Sequence, residues 1–494
     1  MNLSNILNQI KYKSFAGSKD AVADNITYDS RNVNQNSIFV AIKGLVEDGH
    51  SYIESAIKKG ASAIVCEFIP EELKDKANFI EVEDSRKAMA EIACAIYDNP
   101  SEKLKVIGVT GTNGKTSITY LLKAISDYLK IKNGIIGTLG IIVDDEHINA
   151  EHTTPESSEI QHIMNKMLKK SVELCMMEVS SHAVELNRVD NIDFDVAIFT
   201  NLTRDHLDFH KTMENYYLAK KKLFYLTKNN NIINVDDEYG KRLYDELKSD
   251  NVRALSYAID NEADIKASNL KTTIKGTEFD LKIGDISKKV FVKTPGKFSV
   301  LNSLAALGAA YSLDIDIDEA ISALGNFNGV SGRFEVMDTN LDCTIILDFA
   351  HTPDGLEKVM DTINEFASGR KIVMFGAGGD RDISRRAPMG EVAGKNCDLT
   401  ILTSDNPRFE NPYDICEEIA QGVKKYNAEY KIIVEREEAI YYAIKNYKHN
   451  DVILLAGKST EPYQDIGIEK VPYDERTIAK NMIKKVEQEL GIRR

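Results

Sequence analysis

Short unbroken runs of apolar residues recur along this chain, separated by polar, turn-forming stretches. Apolar runs of about four to eight residues bounded by turn signals predict strands buried on both faces, as in parallel sheets. The first such runs fall at 37–42, 61–66 and 79–82, with a helical pattern over 52–59 between the first two. The polar stretch Asp98-Asn99-Pro100-Ser101 then predicts a linker. Runs at 106–109, 134–139, 174–179, 196–200 and 231–235 follow, with helical patterns between several of them. That alternation predicts a mostly parallel sheet with right-handed crossovers. Alternating polarity near 277–283 and 289–293 predicts a small antiparallel addition, and an Ala- and Leu-rich helix over 299–313 closes the unit. A third set of strands falls at 344–347, 371–375, 399–402, 431–434 and 452–455. The expected fold class is α/β in three domains, at 1–100, 101–330 and 331–494. They read as a small N-terminal α/β unit, a central domain of P-loop type, and a C-terminal Rossmann-like domain.

The bulk properties agree with that division. A chain of 494 residues fits about three domains. Hydrophobic residues at 43% and charged residues at 28% describe a globular protein with sizeable cores. The formal net charge of −15 argues against a non-specific nucleic-acid binder or a binder of anionic membranes. An anionic ligand must therefore be met by arginines gathered locally. The six cysteines are scattered without a C-x-x-C pair, which predicts free thiols in a reducing cytosol and no structural zinc. The first residues, MNLSNILNQIKYKS, lack the apolar core of a signal peptide, and no run reaches the roughly 18 apolar residues of a membrane span. The expectation is a cytoplasmic monomer acting on small molecules.

One stretch organises the rest. Residues 105–120 read KVIGVTGTNGKTSITY. The strand 106–109 runs into Gly111, Thr112, Asn113 and Gly114, and Lys115, Thr116 and Ser117 open a helix. Backbone N–H groups and a helix N-terminus make a phosphate cradle, Lys115 adds a full charge, and the Thr116 hydroxyl can reach magnesium. Val109 stands where the strict G-x-x-x-x-G-K-[ST] pattern has its first glycine. The bland alternative is a tight strand–helix turn with an incidental lysine. Glu178 ends the strand 174–179 and suits a second-strand magnesium ligand, or else a cap for the next helix. The stretch Asp205-His206-Leu207-Asp208-Phe209-His210, read alone, resembles a metal cluster. Lys220-Lys221-Lys222, on a helix over 216–226, reads by composition as a solvated face. In the third domain most strands run directly into polar motifs, and ligands of parallel sheets bind at such carboxyl ends. Two such edges facing one another predict an interdomain cleft.

G-T-N-G-K-T-S, M-E-V-S-S-H-A, N-L-T-R-D-H-L-D-F-H, A-K-x-x-L-F, D-F-A-H-T-P-D, G-A-G-G-D-R-D and D-N-P-R occur in that order over nearly the whole chain. Together they resemble the Mur ligase family, and Tyr28-Asp29-Ser30-Arg31 and Phe39-Val40-Ala41 extend the resemblance to the N-terminal unit, where they resemble elements that hold a UDP-sugar. The resemblance implies an ATP-dependent amide ligase that adds meso-diaminopimelate to UDP-N-acetylmuramoyl-L-alanyl-D-glutamate for peptidoglycan synthesis. It implies that residues 111–117 hold ATP phosphates, with Asn302, Arg333, Asp348 and His351 framing the nucleotide. Lys115, Glu178, Lys220 and His206 become the catalytic set. Thr116 and Glu178 hold magnesium, as does Lys220 once carbamylated, with His206 beside it. Ser30, Thr153, Thr154, Ser180 and Arg188 take the UDP-muramoyl dipeptide. Arg381, Asp405, Asn406, Pro407, Arg408, Gly457 and Glu461 take the diaminopimelate. The family's G-K-G-H-E-x-Y-Q is replaced here by Gly457-Lys458-Ser459-Thr460-Glu461-Pro462-Tyr463-Gln464, which puts the acceptor pocket in question.

The implied reaction passes through an acyl phosphate, so the cleft must close against water. L-lysine is the alternative acceptor, separated from diaminopimelate by what Arg408 does; its alternative is a surface pairing with Glu410 or Asp414. The rivals are a folylpolyglutamate synthetase, a catalytically silent paralogue that binds a UDP-muramoyl ligand as a regulatory module, and a metal hydrolase using His206 and His210.

Overall fold

The computed structural model describes residues 1–44, 47–150 and 152–492. It carries three α/β sheets and a small two-stranded ribbon. The N-terminal sheet orders its five strands Ser14–Ala16, Phe79–Glu81, Ala63–Cys66, Ser37–Val40 and Asn25–Thr27, all parallel except the first. The run 98–101 is not a loose linker: Asp98 and Asn99 take left-handed φ values of 59° and 45°, and Pro100 and Ser101 are buried in a 3-10 turn. Asp and Asn tolerate that conformation, so the chain turns sharply between units.

The central sheet has eleven strands. Lys105–Thr110 lies in its parallel middle, between Leu174–Glu178 and Phe194–Phe199. Alternate residues of that strand serve different layers. Ile107 and Val109 pack with Ile118, Leu122 and Ile125 of the helix Lys115–Tyr128 and with the helix Lys297–Ser312. Val106 packs with Ile160, Met164 and Phe194 on the other face. Each fully buried Ile or Leu there contributes about 1.5–3 kcal/mol, which holds the loop after the strand at a fixed height. Both ends of the sheet turn antiparallel, at Asn133–Gly137, Gly140–Val143 and Glu146–Ile148 and at Ile265–Thr273, Gly276–Ile283 and Ile286–Val292. The domain does not end with the Ala-rich helix: Ile317–Asn326 follows, its start capped by the Asp316 carboxylate accepting from the Glu319 amide. The lysine-rich helix stops at Lys221 and tightens into a 3-10 turn, Lys222–Tyr225.

The third sheet orders Glu335–Val336, Cys343–Asp348, Asp451–Ala456, Lys371–Phe375, Leu399–Leu402 and Tyr430–Ile432, parallel after the first pair. The Tyr463–Asp465 and Lys470–Pro472 ribbon follows it. All six cysteines are free. Among the described residues no helix is long and apolar enough to cross a membrane.

Candidate active site

The turn after Lys105–Thr110 needs its glycines. Gly111 has φ +149°, and a Cβ there would lie 1.8 Å from the Thr200 hydroxyl. Gly114 has φ +92°, and its Cβ would meet the Asn302 amide oxygen at 2.7 Å. The loop is fastened to the neighbouring strand end: the Asn113 amide donates to the Asn201 side chain at 3.0 Å, the Thr112 amide to the Asn201 carbonyl at 2.9 Å, and the Thr200 hydroxyl to the Asn113 carbonyl at 2.6 Å. Lys115 begins the helix and folds back, its ammonium donating to the carbonyls of Gly111 and Thr112 at 2.9 Å each. Burial pulls its pKa down, against the pull of Glu178 and Asp205.

Glu178 ends the strand beside the loop with 1% of its surface exposed. Thr138 donates to it from both amide and hydroxyl, at 3.1 and 3.0 Å. A Cβ on Gly137 would lie 2.4 Å from its Oε1, so that glycine makes room for the carboxylate. Directly behind, the Thr154 hydroxyl donates to the Glu178 carbonyl at 2.8 Å and accepts from the Ser180 amide at 3.0 Å. Arg188 donates to the Thr154 carbonyl at 3.0 Å, and the Thr153 and Thr138 hydroxyls are 3.0 Å apart. Thr153, Thr154, Ser180 and Arg188 thus form one cluster, whereas Ser30 sits apart on an N-terminal 3-10 turn, where Lys59 donates to its carbonyl at 2.8 Å.

Lys220 is also buried, with 2% exposed. Its Nζ lies 3.1 Å from the Gly111 carbonyl oxygen, 3.3 Å from the Thr110 hydroxyl and 4.8 Å from the centre of the Tyr216 ring. Burial, and then the charge of Lys115, push its pKa well below that of an ordinary lysine. His206, at φ +52°, stands edge-on to His182 with ring centres 4.9 Å apart, and burial pushes its pKa down to about 4. His210 turns away to Ser181 at 2.8 Å and stacks on Tyr216. The stretch 205–210 therefore does not converge on one centre, and among the described residues no group of three His, Cys, Asp or Glu is placed to hold a metal.

Two cavities open along the facing sheet edges. The larger, about 610 Å³, is walled by the phosphate loop, Glu178 and Asn302 on the central side and by Arg333, Asp348 and His351 on the other. Arg333 stacks on Phe349, 4.4 Å from the ring centre. The Asp348 carboxylate accepts from the Phe334 and Ala350 amides at 2.6 and 2.7 Å, and burial pushes its pKa up despite Arg333 nearby. The smaller cavity, about 280 Å³, is lined by Arg381, Asp405, Asn406, Arg408, Gly457 and Glu461. Asp205, His206, Phe349 and His351 line both. Lys220 lines neither.

Within the smaller cavity, Asn406 donates to Glu461 at 2.8 Å, and fully buried Lys458 bridges Asn406 and Glu461 at 2.6 Å each. Arg408, at φ +50°, donates to the Gly379 carbonyl at 2.6 Å and pairs with Asp465 at 3.4 Å. It pairs with neither Glu410 nor Asp414; Glu410 is held by Arg386. Ser459 and Thr460 do not line this pocket. Both instead press on Gly332, whose Cβ would meet their side chains at 1.9 and 2.7 Å. The departure at this motif therefore faces the Gly332 turn at the start of the third unit and leaves the pocket wall to Gly457 and Glu461.

Matches to known families cover the same three units. The chain matches models described as Mur ligase family, catalytic domain, at residues 23–97; Mur ligase middle domain, at 109–310; and Mur ligase, glutamate ligase domain, at 332–459. It is 45% identical over 488 residues to UDP-N-acetylmuramoyl-L-alanyl-D-glutamate–2,6-diaminopimelate ligase 1 of Clostridium acetobutylicum, covering 98% of this chain and 100% of that one.

The chain belongs to the Mur ligase family.

The like-named ligase of Caldanaerobacter subterraneus is 44% identical over 488 residues, 99% of this chain and 100% of that one. A solved structure of a ligase of that name superposes with a TM-score of 0.71 at 28% identity, covering 98% and 99% of the two chains. MurF of Thermotoga maritima, solved with ADP, shares the fold alone at TM-score 0.63 and 20% identity, over 96% of this chain and 100% of that one. The Mur ligase fold thus accounts for the three sheets.

Sequence reasoning missed several residues that shape the site. Asp354 accepts from Asn113 of the phosphate loop at 2.6 Å, and Arg385 pairs with Asp205 at 3.3 Å; both contacts join the central and C-terminal domains. Glu156, 6% exposed, holds Arg86 of the N-terminal domain at 3.0 Å and Arg188 at 2.9 Å. Its place just before a helical pattern, with Glu159 three residues on, is the only signal the sequence offered.

Proposed function

We propose that this protein is the ATP-dependent ligase that joins meso-diaminopimelate to UDP-N-acetylmuramoyl-L-alanyl-D-glutamate, acting in the cytoplasm as a monomer. The observation that carries the reading is the wall common to both cavities, Asp205, His206, Phe349 and His351. A carboxylate phosphorylated in the larger cavity is one wall away from an amine held in the smaller. Identity of 45% to a relative of that name along the whole chain supports the substrates. The working units are 1–100 for the UDP-sugar, 101–330 for ATP and 331–494 for the amino acid.

In this reading ATP lies along the phosphate loop between Asn302 and Arg333. The distal carboxylate of the D-glutamyl residue attacks the γ-phosphorus, forming the acyl phosphate as the bond to ADP breaks. Lys115 and the loop amides hold the charge that develops on the phosphoryl oxygens. The free amine of diaminopimelate then attacks the acyl carbon, the tetrahedral intermediate expels phosphate, and the nitrogen loses a proton. Thr153, Thr154, Ser180 and Arg188 orient the dipeptide, with Ser30 at the UDP end. Glu461 and Asn406 orient the amine, and Arg408 takes the far carboxylate.

Magnesium suits the oxygen donors here, the Thr116 hydroxyl and the buried Glu178 carboxylate, and when bound it neutralises phosphate charge. Lys220, whose pKa its burial lowers well below that of an ordinary lysine, is suited as an amine to take up carbon dioxide. Its nitrogen bonds the carbon and releases a proton, and the carbamate is an acceptor where an ammonium was a donor. His206, itself part of the wall between the cavities, is available there as a neutral ring.

Intact Lys115, Glu178 and Lys220 speak against a silent paralogue. The test is phosphate release on mixing the protein with ATP, the UDP-muramoyl dipeptide and a panel of amino acids. Release that requires all three and is largest with meso-diaminopimelate is expected; no release with any amino acid overturns the reading.

A further inference from the structure

Ser459 occupies a backbone conformation that favours glycine, at φ +51°, while 1% exposed. A serine held there is strained, so the surroundings must over-determine it. They do so from both ends. Its amide donates to Glu475 at 2.8 Å, and Glu475 is locked to buried Arg436 at 2.7 Å, which reaches Asp405 of the smaller cavity at 3.9 Å. Its hydroxyl donates to the Gly332 carbonyl at 2.9 Å. That carbonyl also accepts from the Phe349 amide at 3.1 Å. Phe349 lines both cavities and carries the Arg333 guanidinium on its ring. Ser459 thus stands between Gly457 and Glu461, which line the acceptor pocket, and touches the turn that presents Arg333 to the nucleotide cavity.

We propose that Ser459 is a positioning residue that couples the two substrates: its hydroxyl fixes the Gly332–Arg333 turn and Phe349 in register with the strand end that grips the acceptor. This rests on the ligase reading above. Nucleotide seated against Arg333 holds Phe349 in place, and through Gly332 and Ser459 holds the segment 457–461. The coupling is reciprocal, since each ligand favours the same arrangement.

The test uses the full-length enzyme and two variants. Ser459→Ala keeps the backbone strain and loses the hydroxyl. Ser459→Gly loses both and is the variant that must fold, because glycine accepts this φ freely. Both should keep kcat within about twofold, and both should raise the KM of ATP and of diaminopimelate by about three- to tenfold, the scale of one hydrogen bond. In wild type the acceptor KM should fall as ATP rises, and in both variants that dependence should flatten. Ser459→Gly should also melt above Ser459→Ala. Unchanged KM values and an intact ATP dependence in Ser459→Gly overturn the proposal while leaving ligation standing. Absence of phosphate release in wild type overturns the ligase reading itself.

Discussion

Lys115 and Lys220 donate to the same oxygen, the Gly111 carbonyl, from 2.9 and 3.1 Å. Two ammonium groups cannot share one acceptor in a buried site without repulsion, and the lowered pKa of Lys220 is the consequence, after burial itself. Burial lowers both pKa values, but Glu178 and Asp205 oppose the fall at Lys115. Lys220 is pushed well below an ordinary lysine, with only Asp205 opposing, so it is the one shifted further towards the amine.

Lys115→Ala should therefore do two things. Ligation should fall by about 10²–10³, equivalent to roughly 3–4 kcal/mol of transition-state stabilisation from one electrostatic donor. The pKa of Lys220 should rise, since its nearest like charge is gone. Steady-state kinetics read the first and the pH dependence of lysine labelling the second. Near-normal turnover would mean that the glycine loop is only a turn.

Lys220→Ala should be inactive for another reason, the loss of a carboxylate rather than of a cation. Intact-mass and peptide analysis of the active enzyme, kept in bicarbonate, should find Lys220 carrying a carboxyl adduct. A small carboxylic acid should restore part of the activity of the alanine variant. An unmodified Lys220 amine in a ligand-bound, turning-over enzyme defeats the proposal.

The helix that carries Lys220 should loosen in acid. Glu246 joins it to the helix Glu238–Ser249, accepting from Lys221 at 2.8 Å, Tyr217 at 2.6 Å and Arg242 at 2.8 Å. Burial opposes its ionisation, yet those three donors win and hold its pKa at about 2, below the ordinary 4.5. A carboxylate with a depressed folded pKa stabilises fully above pH 4.5, and the contribution is lost as pH falls from there towards 2. With partial solvent screening this amounts to about 1 kcal/mol. Melting curves of wild type and Glu246→Gln should differ most at pH 6, draw together below pH 4.5 and converge only near pH 2; a constant offset would show that Glu246 does not titrate in this window.

The parallel core was legible because its signals are local. Strand, glycine turn and helix start are contiguous from Lys105 to Tyr128, and each buried run announces itself without reference to another. What spans the chain was not legible. Asp354 meets Asn113 across 241 positions, and no pattern in either neighbourhood predicts it. Lys220 shows the same limit in reverse. Three consecutive lysines read as solvated, yet the helix turns one of them inward and leaves Lys222 outside paired with Glu185. Only the resemblance singled it out. The antiparallel edges were half read, because alternation at 277–283 is visible while Ile265–Thr273 is mostly polar and takes its place from its partners.

The acceptor should be meso-diaminopimelate rather than L-lysine, and Arg408 should decide it. The two differ by a carboxylate at the far end of the side chain. Arg408 stands in the smaller cavity with its guanidinium partly engaged, by the Gly379 carbonyl and by Asp465 at 3.4 Å. The left-handed backbone at Arg408 aims it there, and Pro407 stiffens the approach. A planar guanidinium offers a bidentate face to a carboxylate, which a lysine in its place would not. Lysine as substrate would leave that face without the carboxylate it is placed to take, and a site built for a charged group rejects such an analogue by a large factor, on the order of 10² or more. Because Ser459 and Thr460 press on Gly332 and not on this pocket, the altered motif does not change the expectation. Wild type should prefer diaminopimelate in kcat/KM. Arg408→Ala should lose that preference mainly through a raised acceptor KM, with ATP KM unchanged, and Arg408→Lys should recover little of it. Equal kcat/KM for the two amino acids in wild type would defeat the assignment of Arg408, even with ATP-dependent ligation intact.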